Sequence, residues 1–132
     1  MTRKALELLL ICSTAVFVPG CGTGQQLVGI TINPATVVFG STDPALFAQL
    51  TAMGTYIHPP ATKDITTQVT WTSNIVEVAQ VTSTGIVSPN VACGVTPINA
   101  SLVTNSPTGN EITGTMSVTV DGTATSCPTT TP

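Results

Sequence analysis

The sequence predicts an all-β sandwich, and three observations carry that prediction. Apolar residues recur with period two in several short runs, the signature of strands with one buried face. Turn residues, chiefly Gly, Pro, Asn and Ser, interrupt those runs at short intervals, and the chain holds 11 Gly and 10 Pro. Charge is sparse at 7%, while 42% of residues are hydrophobic. Thr and Val dominate, and both favour pleated, half-buried backbone. A low charge with this much apolar content does not fit a disordered chain, which needs low hydrophobicity.

The elements follow in order. Val28, Ile30 and Ile32 alternate with Gly29 and Thr31 until Asn33-Pro34 breaks the run. A short piece, Val37-Val38-Phe39, ends at Gly40-Ser41. From Leu46 to Tyr56 the residues Leu50, Ala52, Gly54 and Tyr56 share one face. Residues 57–64 then read as a loop, because the paired Pro59-Pro60 cannot donate to a ladder. Gln68–Ser73 is a strand with Val69 and Trp71 facing one way, and Val76–Val81 is another. A turn at Thr84-Gly85 leads to Ile86-Val87, ended by Pro89.

The last two strands have the clearest pattern. Ile98, Ala100 and Leu102 alternate with Asn99 and Ser101. After the turn-rich 105–110, Ile112, Gly114, Met116, Val118 and Val120 alternate with Thr and Ser. One face of that strand is apolar and the other bears hydroxyls, as expected where one side packs and the other meets water. The predicted core is Leu50, Val69, Trp71, Val78, Ile98 and Val118. About seven short strands around a single Trp predict an immunoglobulin-like β-sandwich. From residue 122 to residue 132 the chain is a polar tail without periodicity.

A different segment precedes this domain. Arg3-Lys4, the apolar run Leu8–Val18, and Pro19-Gly20-Cys21 have the charge, length and small-residue ending of a secretory signal peptide over residues 1–20. The apolar run is shorter than the roughly 20 residues that span a bilayer. A cysteine directly after Gly20 resembles the lipobox of bacterial lipoproteins, although Pro19 and Glu7 depart from the usual pattern. That resemblance implies cleavage before Cys21, acyl chains on Cys21, and a short spacer over 21–27. Gly22 after the cysteine, where an Asp is absent, implies delivery to the outer membrane or cell surface. The alternative is an ordinary secretory signal cut nearby, with Cys21 unmodified and the product soluble in the periplasm or secreted.

Charge narrows the functions further. Beyond residue 20 the only Lys or Arg is Lys63, set against Asp43, Asp64, Glu77, Glu111 and Asp121, so one base against five acids gives minus four. Nucleic-acid binding lacks the basic footprint that phosphate neutralisation requires. No polybasic patch exists to hold anionic lipid, so membrane attachment falls to acyl chains on Cys21, several of which satisfy the two-signal rule for stable anchoring.

About 110 residues remain after residue 20, enough for one domain. Residues 28–121 resemble group 2 bacterial immunoglobulin-like domains through Ile30-Thr31-Ile32-Asn33-Pro34, Gln49-Leu50-Thr51-Ala52, Thr62-Lys63-Asp64-Ile65-Thr66, Val69-Thr70-Trp71-Thr72-Ser73, Ser83-Thr84-Gly85-Ile86-Val87 and Gly114–Val120. The resemblance implies a structural, adhesive or spacer role at the cell surface.

Cys93 and Cys127 are the remaining cysteines once Cys12 and Cys21 are assigned. Two ligands are too few for a zinc site, and an oxidising compartment favours a disulfide. If the final hairpin turns near residues 107–108, antiparallel partners sum to roughly 215 and Cys93 lies opposite about residue 122, a few residues from Cys127. No metal site or cofactor is expected, since the carboxylates are scattered singly. The one histidine, His58, has no nucleophile with an activating context, so no enzymatic activity is expected. The partner is an unknown protein or glycan. A carbohydrate-binding module using Tyr56-Ile57-His58 is the alternative function, and strand addition at an open edge is a third.

Overall fold

A computed structural model of the chain describes residues 24–105, 108–122 and 127. The predicted signal peptide and Cys21 lie outside the described residues. Ten strands form, and no helix occurs among the described residues: β1 (Gln26–Asn33), β2 (Thr36–Phe39), β3 (Ala48–Gln49), β4 (Thr51–Ile57), β5 (Ala61–Asp64), β6 (Thr70–Ser73), β7 (Ala79–Val81), β8 (Ile86–Pro89), β9 (Gly94–Val103) and β10 (Glu111–Val120).

The strands build three sheets, ordered β1-β4-β5, β3-β8-β7 and β2-β10-β9-β6. The first two meet along one nearly continuous strand, because β3 and β4 are separated only by Leu50. Leu50 N–H donates to Gly85 O (2.8 Å) and Ile65 N–H to Ala52 O (2.8 Å), so bonding passes without a gap from one partner set to the other. The architecture is all-β and consistent with a β-sandwich: this composite layer lies against the four-stranded sheet.

Between the layers sits a single apolar core. Leu50, Ala52, Val87, Ile98, Ala100 and Val118 are fully buried, and Val69, Trp71 and Val78 nearly so. The core forms because the inward positions of each strand keep one parity: 50, 52 and 54 on β3–β4, 98 and 100 on β9, 114 through 120 on β10. Trp71 places its polar edge against backbone, with Nε1–H donating to Thr66 O at 2.9 Å. A buried indole N–H without a partner would be costly.

The chain changes sheets after β1. Asn33-Pro34 ends that strand, and β2 then pairs with β10 in parallel, Thr36 with Ser117 through Phe39 with Val120. Along the part of β10 that β2 does not reach, Gly114 faces the Ile30 backbone. An ideal Cβ at Gly114 would stand 2.5 Å from Ile30 O, so the absence of a side chain allows the layers to meet there.

Several local details differ from the sequence reading. The register of β1 slips between Leu27 and Gly29, which turns Leu27 inward and Val28 outward, 44% exposed. A bulge inserts one residue and so reverses the facing of what precedes it. The predicted loop over 57–64 is mostly strand, because β5 pairs with Met53–Tyr56 and only residues 58–60 form the turn. His58 occupies left-handed backbone there, φ 57°.

The predicted strand Val76–Val81 begins only at Ala79. Both Val78 N–H and Ala79 N–H donate to Ile75 O, and that turn leaves Val76 exposed. Finally, β9 begins four residues before Ile98 and runs through Pro97. Pairing with β6 covers only Ile98–Ser101, so Pro97 lies just beyond that ladder.

The two ends of the domain are chemically distinct. Gln26 and Leu27 of β1, Tyr56 of β4, and residues 102–105 at and just beyond the end of β9 share one end, here the entry end. At the far end Phe39, Val120 and Gly94 lie in register.

Candidate interaction surfaces

Three surface regions and one covalent bond are candidates for function. At the entry end an open groove of about 710 Å³ is lined by Gln25, Gln26, Leu27, Tyr56, Gln68 and Leu102, among others. The β4–β5 hairpin and the residue before β1 are tied together beside it. Gln25 Nε2–H donates to Pro59 O at 3.1 Å, and Lys63 Nζ donates to Gln25 Oε1. The Lys63 ammonium also lies 5.1 Å from the centroid of the Tyr56 ring, within cation–π range. Tyr56 is half-buried and packs on the core, whereas His58 is exposed in the turn.

The outer face of the four-stranded sheet is the second region. The register aligns Thr115, Asn99 and Thr72 in one row across the sheet, and Thr113, Ser101 and Thr70 in another. Thr115 Oγ1–H donates to Asn99 Oδ1 (2.7 Å), and Asn99 Nδ2–H donates to Asn74 Oδ1 (2.9 Å). Toward the far end this hydroxyl surface becomes apolar, since Val38 and Val95 flank Thr119 in register and both are exposed.

Apolar exposure continues in the far-end connections, the third region. Phe47 is 70% exposed and Val91 75%. The 40–47 connection is shaped by Asp43, whose Oδ1 accepts from Ala45 N–H at 2.9 Å and whose carbonyl accepts from Leu46 N–H at 3.0 Å. Sequence reasoning did not single out Phe47, but strand parity contains the signal. With Ala48, Leu50 and Ala52 on the inward side, Phe47 is on the outward one. Asp43, Glu77 and Asp121 are also at this end: Ala92 N–H donates to Glu77 O and Asp121 N–H to Phe39 O, both at 2.8 Å.

Cys93 and Cys127 form a disulfide pair, Cα to Cα 5.5 Å. Partners on β9 and β10 sum to 214, as in Gly94 with Val120, which places Cys93 opposite residue 121, one residue from the position expected. The bond fastens the chain after β10 to the start of β9.

Of the residues named for sugar recognition, His58 is exposed and Tyr56 and Ile57 are half-buried. Trp71 is 8% exposed and its N–H is already used, while the face of Tyr56 is shared with Lys63. Among the described residues Phe47 is the large exposed aromatic. No group of three His, Cys, Asp or Glu side chains converges as a metal site among the described residues. The Asp64 carboxylate is held below the ordinary range by hydrogen bonds from Thr66, first from its side chain and then from its backbone N–H. That is a turn-forming role at the end of β5, with Thr66 N–H donating to Asp64 Oδ1 at 2.9 Å. No family model matches this chain, and no curated protein matches it.

Proposed function

We propose that this chain is an exported lipoprotein of the cell envelope, anchored through Cys21. In this reading one immunoglobulin-like β-sandwich acts non-enzymatically as a structural, adhesive or interaction module. The observation that carries the reading is the close joining of two features: a signal-like segment ends at Cys21, and a folded strand begins at Gln26. A globular domain this near the cysteine leaves the anchor, with a spacer of a few residues, as the link to a membrane. The immunoglobulin-like assignment draws support from the sheet order β2-β10-β9-β6, from the sheet switch between β1 and β2, and from the parallel β2–β10 pair. The buried Trp71 on the edge strand of that sheet fits the same pattern.

An interaction module rather than a catalyst is supported by what is exposed: uncharged hydroxyls on one sheet face and isolated apolar side chains at the far end. The carbohydrate-binding alternative draws less support, because Trp71 is buried and Tyr56 half-buried. Replacing Cys21 by Ser tests the anchor. The wild type should fractionate with membranes and be released only by detergent, and the variant should appear in the soluble fraction. An unchanged distribution would reject the proposal.

A further inference from the structure

We propose that the domain stands end-on at the lipid surface. The β4–β5 turn at residues 58–60 meets the headgroups, and the end bearing Phe47 and Val91 points away from them. The inference rests on the Cys21 anchor proposed above and adds an orientation that the anchor alone does not impose.

Reach comes first. Four residue steps separate Cys21 from Gln25, and an extended chain spans at most about 3.3–3.6 Å per residue, so about 14 Å. Gln25 therefore stays within about 14 Å of the acylated residue. A flexible hinge at this point would still let the domain lie on its side.

The second observation is that the described side chains oppose such a hinge. Gln25 is bonded to two points of the β4–β5 hairpin, Pro59 O through its Nε2–H and the Lys63 ammonium through its Oε1. These bonds join positions 34 and 38 residues apart in sequence. The chain thus enters the domain strapped to the same turn that the short spacer brings to the membrane.

Charge gives a third, independent reason for the same orientation. Lys63, the lone Lys or Arg beyond residue 20, lies at the strapped end together with His58 and two acids, Asp64 beside it on β5 and Glu111. Asp43, Glu77 and Asp121 lie toward the other end. An anionic leaflet repels the three unbalanced carboxylates of the far end more than the strapped end, where Lys63 offsets one of two, so the field favours this pose over an inverted one. The outward end then presents Phe47 and Val91 to whatever the module meets.

Hydrogen exchange read by mass spectrometry tests the pose. The full lipidated protein in nanodiscs of phosphatidylethanolamine and phosphatidylglycerol is compared with the Cys21→Ser protein free in solution. Exchange in the segment 57–63 should slow several-fold in nanodiscs, while the segments 41–47 and 90–93 should not change. Slowing at 41–47 or 90–93, or no slowing anywhere, would overturn the orientation.

The N-terminal peptide in the same digest separates the two claims. Acylated Cys21 without protection at 57–63 rejects the pose alone, whereas an unmodified Cys21 rejects the anchor and the pose with it. A Gln25→Ala, Lys63→Ala double variant cuts the strap at two side chains outside the core. It should remain acylated and lose most of the difference between the ends, and an undiminished difference would refute the role given to the strap.

Discussion

Gly114→Ala examines the point where the layers approach most closely. The added Cβ would stand 2.5 Å from Ile30 O, 2.9 Å from Ile30 Cγ2 and 3.0 Å from Ile30 C. Reaching an ordinary 3.4 Å contact with the oxygen requires a retreat of 0.9 Å, the difference of 3.4 and 2.5. The atom in the way is backbone, and β1 is held by its ladder to β4 and by buried Ile30 and Ile32. Overpacking of this kind costs about 1–3 kcal/mol. The reduced freedom of an unfolded Ala offsets about 0.4–1 kcal/mol of that. Gly114 is not among the glycines with positive φ, so backbone strain adds nothing.

From the middle of both ranges the net expectation is a loss of about 1.3 kcal/mol, or a fall in Tm of about 5–10 °C at about 4–8 °C per kcal/mol for a domain of this size. Urea unfolding followed by the fluorescence of Trp71 measures it, with the m-value expected to stay constant. Gly29→Ala is the control, because its nearest neighbour, Thr55 Cβ, would be 4.0 Å away. If Gly114→Ala were as stable as the wild type, the close approach of β1 to β10 would be wrong.

Three further outcomes follow from the same structure. Trp71→Phe should destabilise by about 1–3 kcal/mol in thermal unfolding read by circular dichroism, because Thr66 O loses its donor in a part-buried setting; a neutral result would remove that bond from the account. Cys93→Ser should cost about 3–4 kcal/mol on the loop-entropy model for a separation of 34 residues. Reductant should lower wild-type stability by a similar amount and leave the variant unmoved, and a wild type indifferent to reductant would contradict this. For Asp64 the folded pKa lies below its unfolded value of about 4. Its stabilising contribution is therefore present above that value and lost as pH falls through the folded pKa. A carboxyl NMR titration should place Asp64 below the ordinary Asp range, and a value at or above it would refute the Thr66 hydrogen bonds.

Strand positions whose parity is unbroken were legible in the sequence. Leu50, Ala52 and Gly54 are inward as the alternation requires, and so are Gly114, Met116, Val118 and Val120 on β10. Near-symmetric pairing about the final turn placed Cys93 opposite residue 121, close in sequence to Cys127. What was not legible depends on non-local pairing. The bulge at Val28 is a property of β1 against β4, since alternation alone continues smoothly through Val28, Ile30 and Ile32.

Prolines concealed strand in two places. Pro59 and Pro60 occupy a turn so short that β5 resumes at Ala61, and Pro97 is accommodated where the neighbouring ladder has ended. The surfaces were less legible than the core because exposure depends on where strands stop. Leu46 and Phe47 read as the start of a strand but precede it, and β3 begins at Ala48. The tie between Gln25, Pro59 and Lys63 carries no local signature at all, since it joins positions more than thirty residues apart.

The most direct test of the account is metabolic labelling with an alkyne-bearing fatty acid in cells producing the full chain or its Cys21→Ser variant. The wild type should carry the label and the variant should carry none. A wild type without label, or a variant that keeps it, would contradict the anchor on which the proposed function stands.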